Sequence, residues 1–128
     1  MPREAINVDG GAPVGGPYTP VVKAGDFIYI SGQVPIHPTD GAMPDAPFSK
    51  QVELCLDNVK RLVEGAGASM DDVVKTLCFL ADMDRFHDFN DVYVNYFSEP
   101  RPARSCIQAG RLPFDFQVEV EAIVYVGK

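Results

Sequence analysis

The sequence predicts an α+β fold, in which one β-sheet is covered on one face by two helices. Three observations support this fold class: two stretches have the apolar period of an amphipathic helix, one later stretch alternates strictly between apolar and polar residues, and eleven glycines and eleven prolines supply more turns than a helical bundle needs. The 128 residues suffice for one domain with its own core. Residues 1–128 are therefore predicted to form a single domain.

The first 47 residues predict one strand between two turn-rich segments. Residues 9–20 are dominated by glycine and proline, which disfavour regular structure. Residues 21–34 contain the apolar run 27–30, which predicts a buried strand. Residues 37–47 are again rich in turn-forming residues.

A helix and a second strand are predicted next. From residue 49 to residue 66, apolar side chains recur at the spacing of one helix face, and Gly65 and Gly67 predict the end of that helix. Residues 73–80 are rich in β-branched and apolar side chains, which predicts a central strand.

A second helix is predicted to begin near Asp82 or Asp84, because aspartate is a favourable N-cap residue, and to end before Pro100. A buried face is expected where aromatic residues recur at helical spacing with one asparagine among them: Phe86, Phe89, Asn90, Tyr93 and Phe97. A buried amide requires hydrogen-bond partners, so Asn90 is a candidate for either a structural or a functional contact.

Residues 104–110 and 116–126 predict the last two strands, joined through residues 112–115. If these strands form a hairpin, Cys106 lies opposite Glu119, and Arg104 lies diagonally at about 7–8 Å. A polar face that also carries Ile and Tyr indicates contact with a ligand or another subunit. The last strand has an apolar face with Val118, Val120, Ala122 and Val124, and a polar face with Glu119, Glu121, Ile123 and Tyr125.

The charge balance limits the partners that the chain can have. Eighteen acidic and eleven basic residues give a formal net charge of −7. Such a surface repels phosphate backbones, so nucleic acid is not an expected partner. No apolar run approaches the roughly 18 residues that a membrane span requires, so we expect no membrane partner.

The cysteines and histidines predict neither disulfides nor a metal site. Cys55, Cys78 and Cys106 are odd in number, and their spacing fits no zinc motif. The opening residues do not resemble a secretory signal, so we expect reduced thiols and a cytoplasmic location. His37 and His87 lie far apart and form no pair of metal ligands.

Short motifs in order along the chain resemble the RidA/YjgF family, whose members are also described as L-PSP endoribonucleases. No single motif is specific, but their number and order make the resemblance strong. The motifs are Gly16-Pro17-Tyr18, Ser31-Gly32-Gln33-Val34-Pro35, Leu56-Asp57-Asn58-Val59, Asp72-Val73-Val74-Lys75-Thr76, Asn90-Asp91-Val92-Tyr93, Arg101-Pro102-Ala103-Arg104-Ser105-Cys106, Leu112-Pro113 and Val118-Glu119-Val120-Glu121-Ala122.

The resemblance implies a chorismate-mutase-like α+β fold, assembled as a homotrimer with active sites between subunits. It also implies an enzyme, a 2-iminobutanoate/2-iminopropanoate deaminase. Such an enzyme hydrolyses reactive 2-imino and 2-enamino acids, such as 2-aminoacrylate, to 2-keto acids and ammonia. No cofactor is expected. The only expected partners are a small carboxylate-bearing substrate and further copies of the chain.

The resemblance assigns roles to two residues in particular. Arg104 would anchor the substrate carboxylate, since a planar guanidinium can donate two parallel hydrogen bonds. Glu119 would exchange protons with the attacking water or the leaving ammonia. The remaining residues expected to bind substrate are Tyr18, Ser31, Gly32, Asn90 and Cys106.

The residues alone leave simpler interpretations open. Arg104 is also compatible with a surface arginine paired with Glu119 or Glu121, and Glu119 with a solvated strand residue. Cys106 would act as a nucleophile only beside a base or a cation that lowers its pKa. Two other functions also remain: an endoribonuclease or translation inhibitor, and a non-enzymatic module that binds small carboxylates and needs Arg104 but not Glu119.

Overall fold

The computed structural model describes residues 3–127 and has the predicted α+β architecture, with helices on one face of a six-stranded sheet and a separate two-stranded sheet. Met1, Pro2 and Lys128 of the predicted domain lie outside the described residues. The strands are β1 (Glu4–Ala5), β2 (Val21–Ala24), β3 (Phe27–Gln33), β4 (Ile36–His37), β5 (Gly41–Ala42), β6 (Val73–Leu80), β7 (Ala103–Gln108) and β8 (Val118–Tyr125), and the helices are α1 (Phe48–Gly65) and α2 (Phe86–Tyr93).

The sheet order is β1-β2-β3-β8-β6-β7, and within residues 3–127 only the β6/β7 pair is parallel. The predicted alternation of β8 is confirmed. Val118, Val120, Ala122 and Val124 are buried, whereas the residues between them are only partly buried. The buried face of β8 packs against α1, so it is the helix face of the sheet. We call the opposite face the outer face.

The predicted hairpin between the last two strands is wrong, because β6 lies between β7 and β8. Cys106 is opposite Cys78, and Glu119 is opposite Phe79. The strand β8 pairs with β3 on one side and with β6 on the other, so it lies at the centre of the sheet. β7 is left at the sheet edge, beside β6.

The helix α1 covers the centre of the sheet, and its limits differ from the predicted ones by one residue at each end. Its apolar face is fully buried at Val52, Leu56, Val59 and Val63. Burial of each such side chain contributes about 1.5–3 kcal/mol to folding. Gly67 has a φ of 90°, which confirms the predicted glycine stop, since other residues rarely adopt this angle. Among residues 3–127, no helix is long and apolar enough to cross a bilayer.

The prediction that the whole run 27–30 is buried is wrong in part. Ile28 and Ile30 lie in the core, whereas Phe27 is 39% exposed and Tyr29 is 44% exposed on the outer face. The strand β3 therefore buries one face only, because no helix covers the other. Phe27 packs against Tyr125 across the β3/β8 ladder, with ring centroids 5.2 Å apart.

The second helix begins as predicted and ends earlier. Asp82 caps a short 3₁₀ turn by accepting a hydrogen bond from the backbone N–H of Asp84, and α2 follows that turn directly. The helix is complete at Tyr93, seven residues before Pro100. Phe97 is buried as predicted, although it lies beyond the helix. The prolines therefore mark only an outer limit for the helix.

Candidate active site in two halves

The first half of the candidate site surrounds Arg104, near the start of the edge strand β7. Arg104 is a neighbour of Thr76, which is buried, so its side chain leaves the sheet on the helix face. Its guanidinium donates a hydrogen bond of 2.9 Å from Nη1 to Oδ1 of Asn90. The guanidinium carbon lies over three aromatic rings of α2, at 4.8 Å from the ring centroid of Tyr93, 5.4 Å from that of Phe86 and 5.8 Å from that of Phe89.

No carboxylate neutralises Arg104 among residues 3–127. The simpler interpretation, a surface ion pair with Glu119 or Glu121, is therefore wrong. Both glutamates lie on the outer face, since they alternate with the buried positions of β8. Arg104 keeps a partly buried positive charge, and only one of its five N–H groups donates within this part of the chain. Such a group is suited to bind a carboxylate.

Asn90 accepts the hydrogen bond that orients the guanidinium of Arg104. The helical spacing of α2 places Asn90 and Tyr93 on the face that meets β7, as their contacts with Arg104 show. The hydroxyl of Tyr93 is in turn held 2.7 Å from Oγ1 of Thr76, on the buried side of β6. Asn90 therefore orients the guanidinium of Arg104, and its role in binding substrate stays a prediction.

Cys106 lies two residues beyond Arg104 on the same face of β7 and is partly buried. Burial raises the pKa of its thiol, and the nearby Arg104 charge lowers it by less. A thiol that stays protonated at neutral pH is a poor nucleophile, so the structure does not favour covalent catalysis by Cys106. Cys55 and Cys78 are core residues, as predicted.

The second half of the site is a cavity of about 510 Å³ around Glu119. Four residues singled out from the sequence meet there, although they come from the 9–20 segment, β3 and β8. Tyr18 is 47% exposed, and the hydroxyl of Ser31 donates a hydrogen bond of 2.7 Å to the carbonyl of Thr19. This bond ties the irregular segment to the end of β3. The four predicted residues that line the cavity are Tyr18, Ser31, Gly32 and Glu119.

Gly32 is required by the close approach of Glu119. A Cβ atom at position 32 would overlap the Oε2 atom of Glu119 and would lie 2.9 Å from its Cδ atom. The carboxyl group therefore lies directly over the Gly32 backbone. Burial raises the pKa of Glu119, and the negative charge of Glu121 raises it further. A carboxyl group with a raised pKa can exchange protons nearer to neutral pH than an ordinary glutamate.

Gly32→Ala is expected to displace the Glu119 carboxyl. The turnover of a reaction that uses this carboxyl should then fall by about 10- to 100-fold, because small misplacements of reacting groups lower the reaction rate. Turnover and thermal midpoint would be measured together. Gly110→Ala is the matched control, since no atom lies within 4 Å of a Cβ built there. Equal turnover in the two variants would mean that the position of the Glu119 carboxyl does not matter.

Two further residues that line this cavity, Glu121 and Phe114, were not among the predicted site residues. Glu121 could have been found, because it shares the outer face of β8 with Glu119. Nothing in the sequence marks Phe114, which has a φ of 55° in a 3₁₀ turn and is 69% exposed. Among residues 3–127, no three His, Cys, Asp or Glu side chains are grouped as a metal site would require.

The two halves do not meet within one chain. Arg104 is directed to the helix face and Glu119 to the outer face, and β6 separates their strands. The predicted diagonal contact between them is therefore wrong, as is the predicted pairing of Cys106 with Glu119. Arg104, Asn90 and Cys106 form one group, and the residues around Glu119 form the other.

Comparison with known proteins gives matches over nearly the whole chain. The sequence profile of the family described as Endoribonuclease L-PSP matches residues 11–126. The 2-iminobutanoate/2-iminopropanoate deaminase of Escherichia coli K12 is 43% identical over 111 residues, which cover 84% of this chain and 86% of that protein. A RutC family protein of Sulfurisphaera tokodaii is 40% identical over 112 residues, which cover 88% of this chain and 90% of that protein. The crystal structure of E. coli TdcF with bound serine matches with a TM-score of 0.90 and 37% identity, covering 97% of this chain and 99% of that chain.

Proposed function

Because this chain belongs to the Endoribonuclease L-PSP family, which includes the RidA/YjgF proteins, we propose that it hydrolyses reactive 2-imino and 2-enamino acids to 2-keto acids and ammonia. The deaminase of E. coli named above supports a RidA-type activity at 43% identity. Other relatives carry only the name of the RutC family, so the choice of reaction depends on the site itself.

The observation that carries the proposal is the unneutralised guanidinium of Arg104. It is oriented by Asn90 and stacked on aromatic rings, and no carboxylate lies within 4.0 Å among residues 3–127. A substrate carboxylate would accept two parallel hydrogen bonds from it. TdcF, which has the same fold, was crystallised with serine, a small molecule that carries a carboxylate and a nitrogen on the adjacent carbon.

The complete site is proposed to form between two copies of the chain in a homotrimer. Arg104 and Glu119 leave opposite faces of the sheet, so they can act on one molecule only if each comes from a different copy. The two halves have complementary charge, since one carries a guanidinium and the other the carboxyl groups of Glu119 and Glu121. The outer face also exposes large apolar residues that a neighbouring copy would cover: Phe27, Tyr29, Ile107 and Tyr125.

The proposed reaction needs positioning and one proton relay. Arg104 holds the carboxylate, which places the imine carbon beside Glu119 of the neighbouring copy. Glu119 accepts a proton from a water molecule as its oxygen attacks the imine carbon, and then donates that proton to the nitrogen. Glu119 next accepts the remaining proton from the hydroxyl group of the carbinolamine and passes it to the nitrogen. The carbon–nitrogen bond breaks, ammonia leaves, and the oxygen remains as the carbonyl of the 2-keto acid. No cofactor takes part in this sequence of steps.

A mixing experiment tests whether each site uses two copies. Arg104→Ala and Glu119→Gln are expected to be nearly inactive separately and to recover activity when they are co-expressed. In randomly mixed trimers about a quarter of the sites would have both native residues, so recovery should approach a quarter of wild-type activity. Light scattering should give about three times the chain mass of 14.0 kDa.

The control for mixing is each variant co-expressed with a second, tagged copy of itself, which should remain inactive. If the mixed assemblies also stay inactive while containing both chains, Arg104 and Glu119 do not serve a shared site between copies. A monomer at micromolar concentration would contradict the assembly directly.

RNA cleavage is not the function proposed here, despite the name of the family. The chain has a net charge of −7, and two of its acidic residues, Glu119 and Glu121, line the cavity. An RNA backbone would be repelled at this cavity. The chain also has few basic groups that could contact phosphates and release counterions, which is what favours nucleic-acid binding. A non-enzymatic carboxylate-binding module remains the second candidate, and the role of Glu119 distinguishes it from an enzyme.

A further inference from the structure

Phe114 occupies an unusual place at the mouth of the Glu119 cavity. It is 69% exposed, which is the highest exposure among the large apolar residues that the structure describes. It follows Pro113 in the loop before β8, and both residues line the cavity. The Phe114 ring packs against that of Phe116, with centroids 5.7 Å apart, and it forms part of the cavity lining.

The loop holds Phe114 in a backbone conformation that phenylalanine disfavours. Phe114 and Asp115 have φ angles of 55° and 56°, in the left-handed region where non-glycine residues other than Asn and Asp are rare. The carboxylate of Asp115 accepts two hydrogen bonds from Arg111, of 2.7 and 3.3 Å. The backbone N–H of Phe116 donates to the carbonyl of Pro113 and closes the turn. Strain of this kind is commonly found at sites of function.

The lining of the cavity combines polar and apolar residues. The polar residues include Glu119, Glu121 and Ser31. The apolar residues come from the loop before β8, the irregular 9–20 segment and the stretch from the end of β3 into β4: Phe114, Pro13, Val14, Val34 and Ile36. Within one copy the cavity measures about 510 Å³, and the proposed neighbouring copy would close part of it, so the apolar lining rather than the volume bears on the substrate.

We propose that Phe114 is a specificity-determining residue, whose ring forms the apolar wall for the side chain of the 2-imino acid. This inference depends on the function proposed above and adds the class of substrate: 2-imino acids with branched alkyl or aromatic side chains. Once the carboxylate is at Arg104 and the imine carbon at Glu119, the side chain is the part of the substrate left to contact this wall. Acidic side chains are disfavoured, because Glu119 and Glu121 repel them.

The test compares Phe114→Asn with Phe114→Leu in the full-length protein. Asparagine tolerates the left-handed backbone and removes the ring, so it isolates the side chain from the strain. Imines would be generated from alanine, leucine and phenylalanine by an amino-acid oxidase with catalase, and their hydrolysis followed in competition with a semicarbazide trap. The ratio of kcat/KM for the leucine imine to that for the alanine imine should fall about tenfold in Phe114→Asn, as expected for lost apolar contacts in a pocket. It should fall less in Phe114→Leu.

A change in that ratio of less than twofold in Phe114→Asn, with active wild-type protein, would overturn the role of Phe114 alone. Wild-type protein that hydrolyses none of the three imines would overturn the proposed function instead. In that case calorimetric binding of pyruvate and of 4-methyl-2-oxopentanoate to the same proteins would still test the role of Phe114. The affinity ratio of the two acids would fall in Phe114→Asn if the ring forms the wall, and would stay constant if it does not.

Discussion

Arg104→Ala is expected to reduce kcat/KM for imine hydrolysis by roughly 30- to 4,000-fold, which corresponds to about 2–5 kcal/mol for removing one partner of a desolvated charge pair. The substrate carboxylate would lose both parallel hydrogen bonds and would enter a partly buried, aromatic environment without a counter-charge. The fold should persist, because within residues 3–127 Arg104 pairs with no carboxylate and its side chain donates one hydrogen bond, to Asn90. Steady-state kinetics and thermal unfolding would be measured on the same protein.

Two further variants show whether the guanidinium itself is needed. Arg104→Lys should recover little activity, since an ammonium group is a point charge and cannot donate two parallel hydrogen bonds in one plane. Arg61→Ala is the matched control: Arg61 also donates to an asparagine, over 2.7 Å to Asn58, but it lies on α1. Near-normal kinetics in Arg104→Ala would rule out carboxylate anchoring and, with it, the proposed class of substrate.

Local patterns predicted most of the fold. The helix α1 and the strand β6 follow from side-chain periodicity within single segments, and β8 follows from its alternation. Such patterns depend on neighbours in sequence, so one sequence is enough to reveal them. The exposed face of β3 could not be predicted in this way, because a run of apolar residues does not show whether one face or both are covered.

The candidate site was predicted as a set of residues but not as an arrangement. The resemblance indicated Arg104, Glu119 and Gly32 as site residues. In the structure Arg104 donates a hydrogen bond to Asn90, and the carboxyl of Glu119 lies directly over the Gly32 backbone. Their relative placement depends on strand order, and sequence adjacency wrongly favoured a hairpin of β7 with β8. Strand order results from competition among distant segments for the centre of the sheet, and no local pattern records its outcome.

Phe114 shows a different limit of sequence-based prediction. Its left-handed backbone depends on the turn after Leu112 and on the paired side chains of Arg111 and Asp115. Neither the φ angle nor the resulting exposure follows from the preference of phenylalanine itself, which favours other conformations. A residue in such a position can be recognised only after the loop has been placed beside the cavity.

Glu119→Gln should reduce turnover by about 10²- to 10⁴-fold, the usual contribution of a general acid–base group, with little effect on carboxylate binding. Glutamine has nearly the same shape, so it can remain over Gly32, but it cannot accept and return a proton. The fold should not be weakened at neutral pH. The pKa of Glu119 is raised in the folded protein, so its ionised form disfavours folding as pH rises through that pKa, and glutamine removes this effect. Unchanged turnover would instead remove Glu119 from the mechanism, whereas an absence of turnover in the wild-type protein, with carboxylate binding retained, would support a binding module without catalysis.

The pH dependence gives a second, independent measure of the same role. Glu119 must be ionised to accept a proton from water, so kcat/KM should rise with pH through a pKa above the usual range for glutamate. Burial is the larger cause of that shift, and the charge of Glu121 is the smaller one. Glu121→Gln removes the second cause while leaving the burial, so it should move the acidic limb of the profile to lower pH without abolishing turnover. An acidic limb that stays in place in Glu121→Gln, and persists in the residual activity of Glu119→Gln, would assign the titration to another group and remove Glu119 from the proton relay.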